Sequence, residues 1–185
     1  MANVVLRPDR WAMVDFDPDR LLAIASEMTE AAGLPVDLDV FVELDDSSPL
    51  GRYSLDAMDP VVVSMESGAF EDPKHPRQLS EGGAAGVLGR LFFRVADRLT
   101  EGFAAAPDDA DLAPADGIAW EVYAAGRLAR SGQQAQRQRW IYHFRNRHGF
   151  SDEADAAFDR LWSADDLTWA DVQALSAAAL AATPA

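Results

Sequence analysis

Residues 80–103, SEGGAAGVLGRLFFRVADRLTEGF, form the longest amphipathic run in the chain. Ser80 is a suitable N-cap, and Glu81 follows it in the first turn, where negative charge is favourable. One set of side chains recurs at helical spacing and predicts a buried face: Leu88, Leu91, Phe92, Val95 and Leu99. A second set predicts a solvated face: Arg90, Arg94, Asp97, Arg98 and Glu101. The stretch is therefore predicted to be a central amphipathic helix.

The segments before this helix predict one helix and a small sheet. A helix is predicted from Pro18, capped by Asp17, to Gly33. Alternating apolar and acidic residues over 36–44 predict a strand with one buried face. Residues 66–78 are predicted to form a loop. Shorter runs predict three further strands, at residues 4–6, 50–53 and 61–65.

The segments after the central helix predict a helical tail. Residues 104–116 have the composition of a loop. Helical spacing and caps then predict helices over residues 118–128, 133–149, 151–162 and 166–184. The fold class is therefore predicted to be α+β: an N-terminal helix, a small mixed sheet of three to four strands, then four to five helices. One domain is predicted over residues 1–185, with residues 1–17 and 181–185 loosely ordered.

Composition excludes several classes of function. The chain has 185 residues, of which 49% are hydrophobic and 25% charged, as in globular proteins. It has no cysteine, which excludes disulfides, thiolate nucleophiles and cysteine-based metal sites. The formal charge of -15 opposes a general affinity for nucleic acid or anionic membranes. No signal peptide or apolar run of membrane-spanning length is evident, so a cytoplasmic location without a membrane partner is expected.

The central helix carries a specific resemblance. Residues 77–80 (RQLS) leading into residues 89–99 (GRLFFRVADRL) resemble the active-site helix of zincin metalloproteases. In that family the helix carries His-Glu-x-x-His, which directs two imidazoles at one zinc ion while the glutamate activates water. The five corresponding positions here are Arg90, Leu91, Phe92, Phe93 and Arg94.

The resemblance, over about residues 35–130, implies a zincin-like fold that has lost its metal chemistry. Glu121 corresponds to the third zinc ligand of zincins of the glutamate type. Arginine cannot bind zinc and Leu91 cannot act as a base, so the resemblance implies no metal, no cofactor and no peptidase activity. It implies a pseudo-metalloprotease with a binding, assembly or regulatory role, in which Arg90 and Arg94 pair with Glu121 in place of the metal. The alternative is that both arginines face solvent and form local pairs.

An arginine-rich segment offers a second interpretation. Residues 122–150 contain no acidic residue and carry six arginines interleaved with aromatic residues: Arg127, Arg130, Arg137, Arg139, Arg145 and Arg147. Such a segment could stack on and neutralise single-stranded nucleic acid. It could instead neutralise acidic neighbours within the fold, or bind an acidic protein partner or peptide. The acidic charge of the whole chain favours these latter interpretations.

Signatures of other enzyme classes are absent from the sequence. There is no Gly-x-Ser-x-Gly elbow, and the glycine-rich residues 82–89 lack the ending of a phosphate-binding loop. His143 and His148 are five residues apart and do not repeat the spacing of a helical zinc site, so a structural role is favoured for His143. An enzyme of unidentified non-metal chemistry stays open as an alternative.

Overall fold

The computed structural model describes residues 2–182 and shows two compact units along the chain. The first unit ends at Val95 and the second begins at Ala96. The predicted α+β class is confirmed, because the described residues form six α-helices, a four-stranded mixed sheet and a two-stranded sheet. A single domain over residues 1–185 stays a prediction.

The first unit contains the four-stranded sheet. Its strands in chain order are β1 (Asn3–Arg7), β2 (Asp39–Asp45), β3 (Tyr53–Met58) and β4 (Val61–Glu66). They lie in the order β1-β2-β4-β3, with β2 parallel to both β1 and β4, and β3 antiparallel to β4. The carboxyl ends of three parallel strands therefore meet at one edge of the sheet.

The sheet buries one face. In β2, Val40, Val42 and Leu44 are buried, while Phe41 and Glu43 remain partly exposed. β4 repeats this alternation along its whole length. Successive side chains of a strand point to opposite faces, so the polar residues of both strands share the other, partly exposed face.

Helix α1 (Pro18–Ala31) joins the parallel strands β1 and β2 and contacts β1. It begins as predicted: the Asp17 carboxylate accepts hydrogen bonds from the backbone N–H groups of Asp19 (3.0 Å) and Arg20 (3.3 Å). Its apolar stripe is buried through Leu21, Ile24, Ala25 and Met28.

A short hairpin occupies the segment predicted to be a loop. β5 (Glu71–Asp72) and β6 (His75–Leu79) pair antiparallel. The β6 sequence is HPRQL and its first four residues are exposed, so no alternation of apolar residues reveals the strand. The Glu71 carboxylate accepts hydrogen bonds from the Arg77 backbone N–H (3.1 Å) and the Ser67 hydroxyl (2.8 Å), which stabilises the hairpin.

The central helix α2 (Glu81–Arg98) begins as predicted, because the Ser80 hydroxyl accepts a hydrogen bond from the Gly83 N–H at 3.2 Å. Four residues of the predicted apolar face are fully buried: Leu88, Leu91, Phe92 and Val95. Leu99 is 47% exposed because the helix ends before it. The predicted solvated face is wrong at two positions, since Arg94 and Asp97 are each only 4% exposed.

The second unit contains four helices after the end of α2. They are α3 (Pro114–Arg130), α4 (Arg137–His148), α5 (Asp152–Ser163) and α6 (Trp169–Ala181). α3 begins before the predicted residue 118 because Pro114 starts it. Ser151 caps α5, and Thr168 and Asp171 form a capping box on α6.

The helices of the second unit enclose an aromatic core of Phe103, Trp120, Tyr123, Phe144, Phe158 and Trp169. α3 lies close against α5 at Gly126. A Cβ atom there would lie 2.0 Å from the Trp162 carbonyl oxygen, so only glycine fits without a shift of the backbone. Within residues 2–182, no helix has both the length and the apolarity needed to cross a bilayer. The predictions for residues 183–185 lie outside the described residues.

Candidate functional site

The α2 segment singled out by the zincin resemblance is largely enclosed. The Arg90 guanidinium donates hydrogen bonds to the Tyr53 hydroxyl (3.0 Å) and to the Gly86 carbonyl oxygen. Arg90 therefore links α2 to β3 within the first unit. Leu91, which the resemblance places at the position of the general base, is fully buried. These two positions are used for packing and for a hydrogen bond between helix and sheet.

Glu121 lies on α3 in the second unit and is 7% exposed. Arg90 and Arg94 belong to the first unit. The pairing of Glu121 with these two arginines therefore stays a prediction. Within residues 2–182, no three His, Asp or Glu side chains form a group that could hold a metal ion.

Four of the six arginines in the basic segment pair with carboxylates of the second unit. Arg127 pairs with Asp97, Arg130 with Asp165, Arg137 with Asp159, and Arg145 with Asp155. The Arg145 guanidinium holds the pKa of the Asp155 carboxyl below its usual value by hydrogen bonds to both oxygens. Most of the local positive charge is therefore neutralised inside this unit.

The other two arginines of the segment, Arg139 and Arg147, are exposed on α4. Arg139 contacts the His143 ring at 3.4 Å, and the Tyr142 side chain between them is 58% exposed. An acidic partner or a nucleic acid would thus meet two basic side chains on this face rather than six. Binding of an acidic partner and binding of nucleic acid both stay predictions.

Asp97 is the centre of a buried network that the sequence did not reveal. Its carboxylate accepts two hydrogen bonds from the Arg127 guanidinium, both 2.6 Å, and one from the Trp120 indole N–H at 2.7 Å. Arg127 also stacks over the Tyr123 ring at 3.9 Å. Nearby, Arg98 pairs with Asp109. The network stabilises the second unit and leaves no reactive group accessible.

A second buried polar pair joins α4 to α6. The His148 Nε2 atom lies 3.0 Å from the Ser176 hydroxyl, and its Nδ1 atom lies 3.2 Å from the Phe144 carbonyl oxygen. A histidine nitrogen within hydrogen-bond distance of a serine hydroxyl is also the arrangement found between a nucleophilic serine and its general base. Both side chains are fully buried, so no substrate can reach them. Burial also lowers the pKa of the His148 imidazole.

An open cavity lies in the first unit, at the edge of the sheet where the parallel strands end. Its volume is about 720 Å³. Open α/β sheets bind ligands at this edge, outside the carboxyl ends of the strands. The charged residues that line it are Arg7, Glu43, Asp45, Arg52 and Glu66. The others are Pro8, Leu44, Tyr53, Ser54, Ser64 and Met65.

The ion pairs in this cavity are long and accessible. The distance from Arg7 to Glu43 is 3.4 Å, and from Arg52 to Glu66 it is 3.8 Å. The Arg7 guanidinium also lies over the Phe41 ring at 3.6 Å. The Arg52 side chain is 78% exposed and that of Glu66 only 20%, so the carboxylate is the more firmly enclosed member of that pair.

The segment after β1 is fixed close to the cavity by one carboxylate. Asp46 accepts hydrogen bonds from the backbone N–H groups of Ala12 (2.6 Å) and Met13 (2.8 Å). These hydrogen bonds lower the pKa of the Asp46 carboxyl. They tie the chain after Pro8 to the end of β2.

The cavity residues were missed in the sequence because they lie on four separate strands or directly beside them. The alternating pattern of residues 36–44 indicates that Glu43 lies on the polar side of a strand. It does not indicate which strands lie beside β2. Only the order β1-β2-β4-β3 brings Arg7, Ser64 and Arg52 to the same edge.

Comparisons of the chain with models of protein families, with curated proteins and with solved structures find no match. The zincin-like resemblance therefore stays a prediction.

Proposed function

We propose that this protein is a non-catalytic, zincin-like protein with a binding role, located in the cytoplasm. The observation that carries the proposal is the state of Arg90 and Leu91. A guanidinium that contacts Tyr53 and Gly86, followed by a fully buried leucine, provides neither a zinc ligand nor a general base.

The binding role is supported by the cavity at the carboxyl edge of the sheet. It is open to solvent, whereas the polar clusters around Asp97 and His148 in the second unit are enclosed. Its volume of about 720 Å³ lies within the usual range for sites that bind small molecules. Charged groups, hydroxyls and apolar side chains line it together, a combination typical of ligand sites.

Metal content and peptide hydrolysis test the absence of catalysis. We expect purified protein equilibrated with zinc and then dialysed to retain far less than one zinc ion per chain. We also expect that the protein shows no chelator-sensitive hydrolysis of a mixed peptide library. Stoichiometric zinc together with chelator-sensitive hydrolysis would contradict the proposal.

Restoring the two histidines tests the resemblance. The variant Arg90→His/Arg94→His places two imidazoles one helical turn apart and leaves the buried Leu91 unchanged. The matched control is Ala23→His/Glu27→His, the same spacing on exposed positions of α1. If the fold is zincin-like, the α2 variant should bind zinc at least ten times more tightly than the control by titration calorimetry.

Equal zinc affinity of the two variants would show that α2 has only the generic affinity of any histidine pair on a helix, and the resemblance would be wrong. If the α2 variant is unfolded without metal, its far-UV circular dichroism is measured before and after zinc is added. Refolding on addition of zinc supports the proposal, and its absence contradicts it.

A further inference from the structure

The open face of the sheet arranges its charges in two rows at the carboxyl edge. In the first row Arg7 of β1 is beside Glu43 of β2, and Glu43 is beside Ser64 of β4. Ser54 of β3 completes this row beside Ser64. Paired residues of neighbouring strands point to the same face of a sheet. The row therefore places a carboxylate and two hydroxyl groups side by side.

The second row lies two residues further along β2 and β4, nearer the carboxyl edge. Asp45 of β2 is paired with Glu66 of β4. The Glu66 backbone N–H donates to the Arg52 carbonyl oxygen at 2.9 Å, which places Arg52 at the outer end of this row. Across both rows the carboxylates occupy the two central strands, and the arginines occupy the flanks.

We propose that this cavity binds a small organic molecule with a primary ammonium group and an apolar body. This inference deepens the binding role proposed above and rests on it. The ammonium group is held by the central carboxylates, and the apolar body lies against the hydrophobic part of the lining.

Charge is the first argument. The lining carries Glu43, Asp45 and Glu66 against two arginines, so one negative charge is left uncompensated. The ion pairs of Arg7 and Arg52 are 3.4 and 3.8 Å long and involve exposed arginine side chains. Exposed pairs of this kind are weak, so a ligand cation can compete with the arginines for the carboxylates.

Hydrogen-bonding capacity is the second argument. An ammonium group has three N–H donors and needs three acceptors at short range. Glu43 and Ser64 are adjacent across the central strands, and Asp45 and Glu66 form the next pair. The Asp45 carboxylate is oriented by hydrogen bonds from the Ser47 N–H (2.9 Å) and hydroxyl (2.6 Å). The centre of the site therefore consists of acceptors.

The apolar part of the lining is the third argument. Pro8, Leu44, Tyr53 and Met65 all border the cavity. Leu44 and Met65 are already buried, each 3% exposed, so the apolar surface open to a ligand is that of Pro8 and Tyr53. A purely hydrophilic cation would leave these two side chains in contact with water. An amine with an aromatic or aliphatic body would cover them and gain about 25 cal/mol for each Å² of apolar surface removed from water.

Benzylamine is a suitable probe, titrated by calorimetry at low salt into the protein of residues 1–185. Benzyl alcohol and benzoate have the same apolar body with a neutral or a negative group. We expect saturable binding of one benzylamine per chain. Benzyl alcohol should bind at least ten times more weakly, and benzoate should show no binding.

Two double variants locate the site. Glu43→Gln/Glu66→Gln removes two carboxylates from the cavity and should weaken benzylamine binding at least tenfold. The matched control Glu27→Gln/Glu30→Gln removes the same charge from exposed positions of α1 in the same unit. It should change the affinity less than twofold, since it alters only the long-range field. If the cavity variant does not fold, Glu43→Gln alone replaces it, with an expected loss of at least threefold.

Three results would overturn the inference: no saturable binding of benzylamine, equal binding of benzyl alcohol, or equal loss of affinity in the α1 control. The proposed function fails differently. It fails if the protein holds stoichiometric zinc and hydrolyses peptides, whatever the outcome with benzylamine.

Discussion

The best-defined ion pair of the second unit and the ion pair at the cavity of the first unit have opposite surroundings. In the first unit, Arg7 and Glu43 form a pair 3.4 Å long at an open cavity, with side chains 50% and 43% exposed. In the second unit, Arg127 and Asp97 form a two-point pair with both distances 2.6 Å, and their side chains are 12% and 5% exposed. The Arg7–Glu43 pair is thus available to a ligand, whereas the Arg127–Asp97 pair maintains the fold.

The largest expected effect tests this difference directly. Asp97→Asn removes a carboxylate that accepts two hydrogen bonds from the enclosed Arg127 guanidinium and one from the Trp120 indole N–H. We expect the free energy of unfolding to fall by about 3 kcal/mol or more, as is typical when one member of a buried pair is removed. Urea denaturation followed by tryptophan fluorescence measures this change.

Glu43→Gln in the first unit is the matched control for Asp97→Asn. It also converts one paired carboxylate to an amide, but at an exposed site, and should change the free energy of unfolding by less than about 1 kcal/mol. Similar losses in the two variants would show that the contrast between the units has no energetic basis.

Smaller changes in stability are expected from replacing two glycines by alanine, one in a crowded position and one in open space. Gly126→Ala in α3 would bring a methyl group within 2.0 Å of the Trp162 carbonyl oxygen, so we expect a loss of about 1–3 kcal/mol. Gly82→Ala in α2 meets nothing within 4 Å and should stabilise the first unit by about 0.5–1 kcal/mol through helix propensity. Thermal unfolding of both variants measures the two shifts. Destabilisation of similar size in both would contradict the close approach at Gly126.

The last expected effect concerns pH. His148 is fully buried, with Asp116 and Arg147 as the charged groups that influence it, and its pKa is lowered by burial. The unfolded chain therefore binds a proton at a higher pH than the folded chain. Stability from neutral His148 is complete above its usual pKa of about 6.5 and is lost as pH falls below it, by at most about 1.4 kcal/mol for each pH unit.

The free energy of unfolding between pH 7.5 and 5.0 checks this expectation. His148→Gln should remove most of the decline over that range. The control His75→Gln, at a side chain that is 62% exposed in the first unit, should leave the decline unchanged. An identical pH profile for the wild type and His148→Gln would show that another group causes the decline.

Local patterns in the sequence predicted most of the elements and little of the site. The caps Asp17 and Ser80 were correctly assigned, because each uses a carboxylate or hydroxyl that accepts a hydrogen bond from a backbone N–H two or three residues away. The hairpin β5–β6 was missed, because its exposed polar strands carry no period of two. The partners of the basic segment were missed because Asp97 and Arg127 are 30 residues apart.

By itself, the sequence determined the α+β class, the central amphipathic helix, and the absence of cysteine chemistry, since these depend on composition and on spacings within one turn or one strand. Only the tertiary structure decided which charges are enclosed and which remain accessible. The strand order brings Arg7, Glu43 and Glu66 to one open edge, and helix packing encloses Asp97 with Arg127. Accessibility depends on neighbours that are distant in the chain, and no local pattern records them.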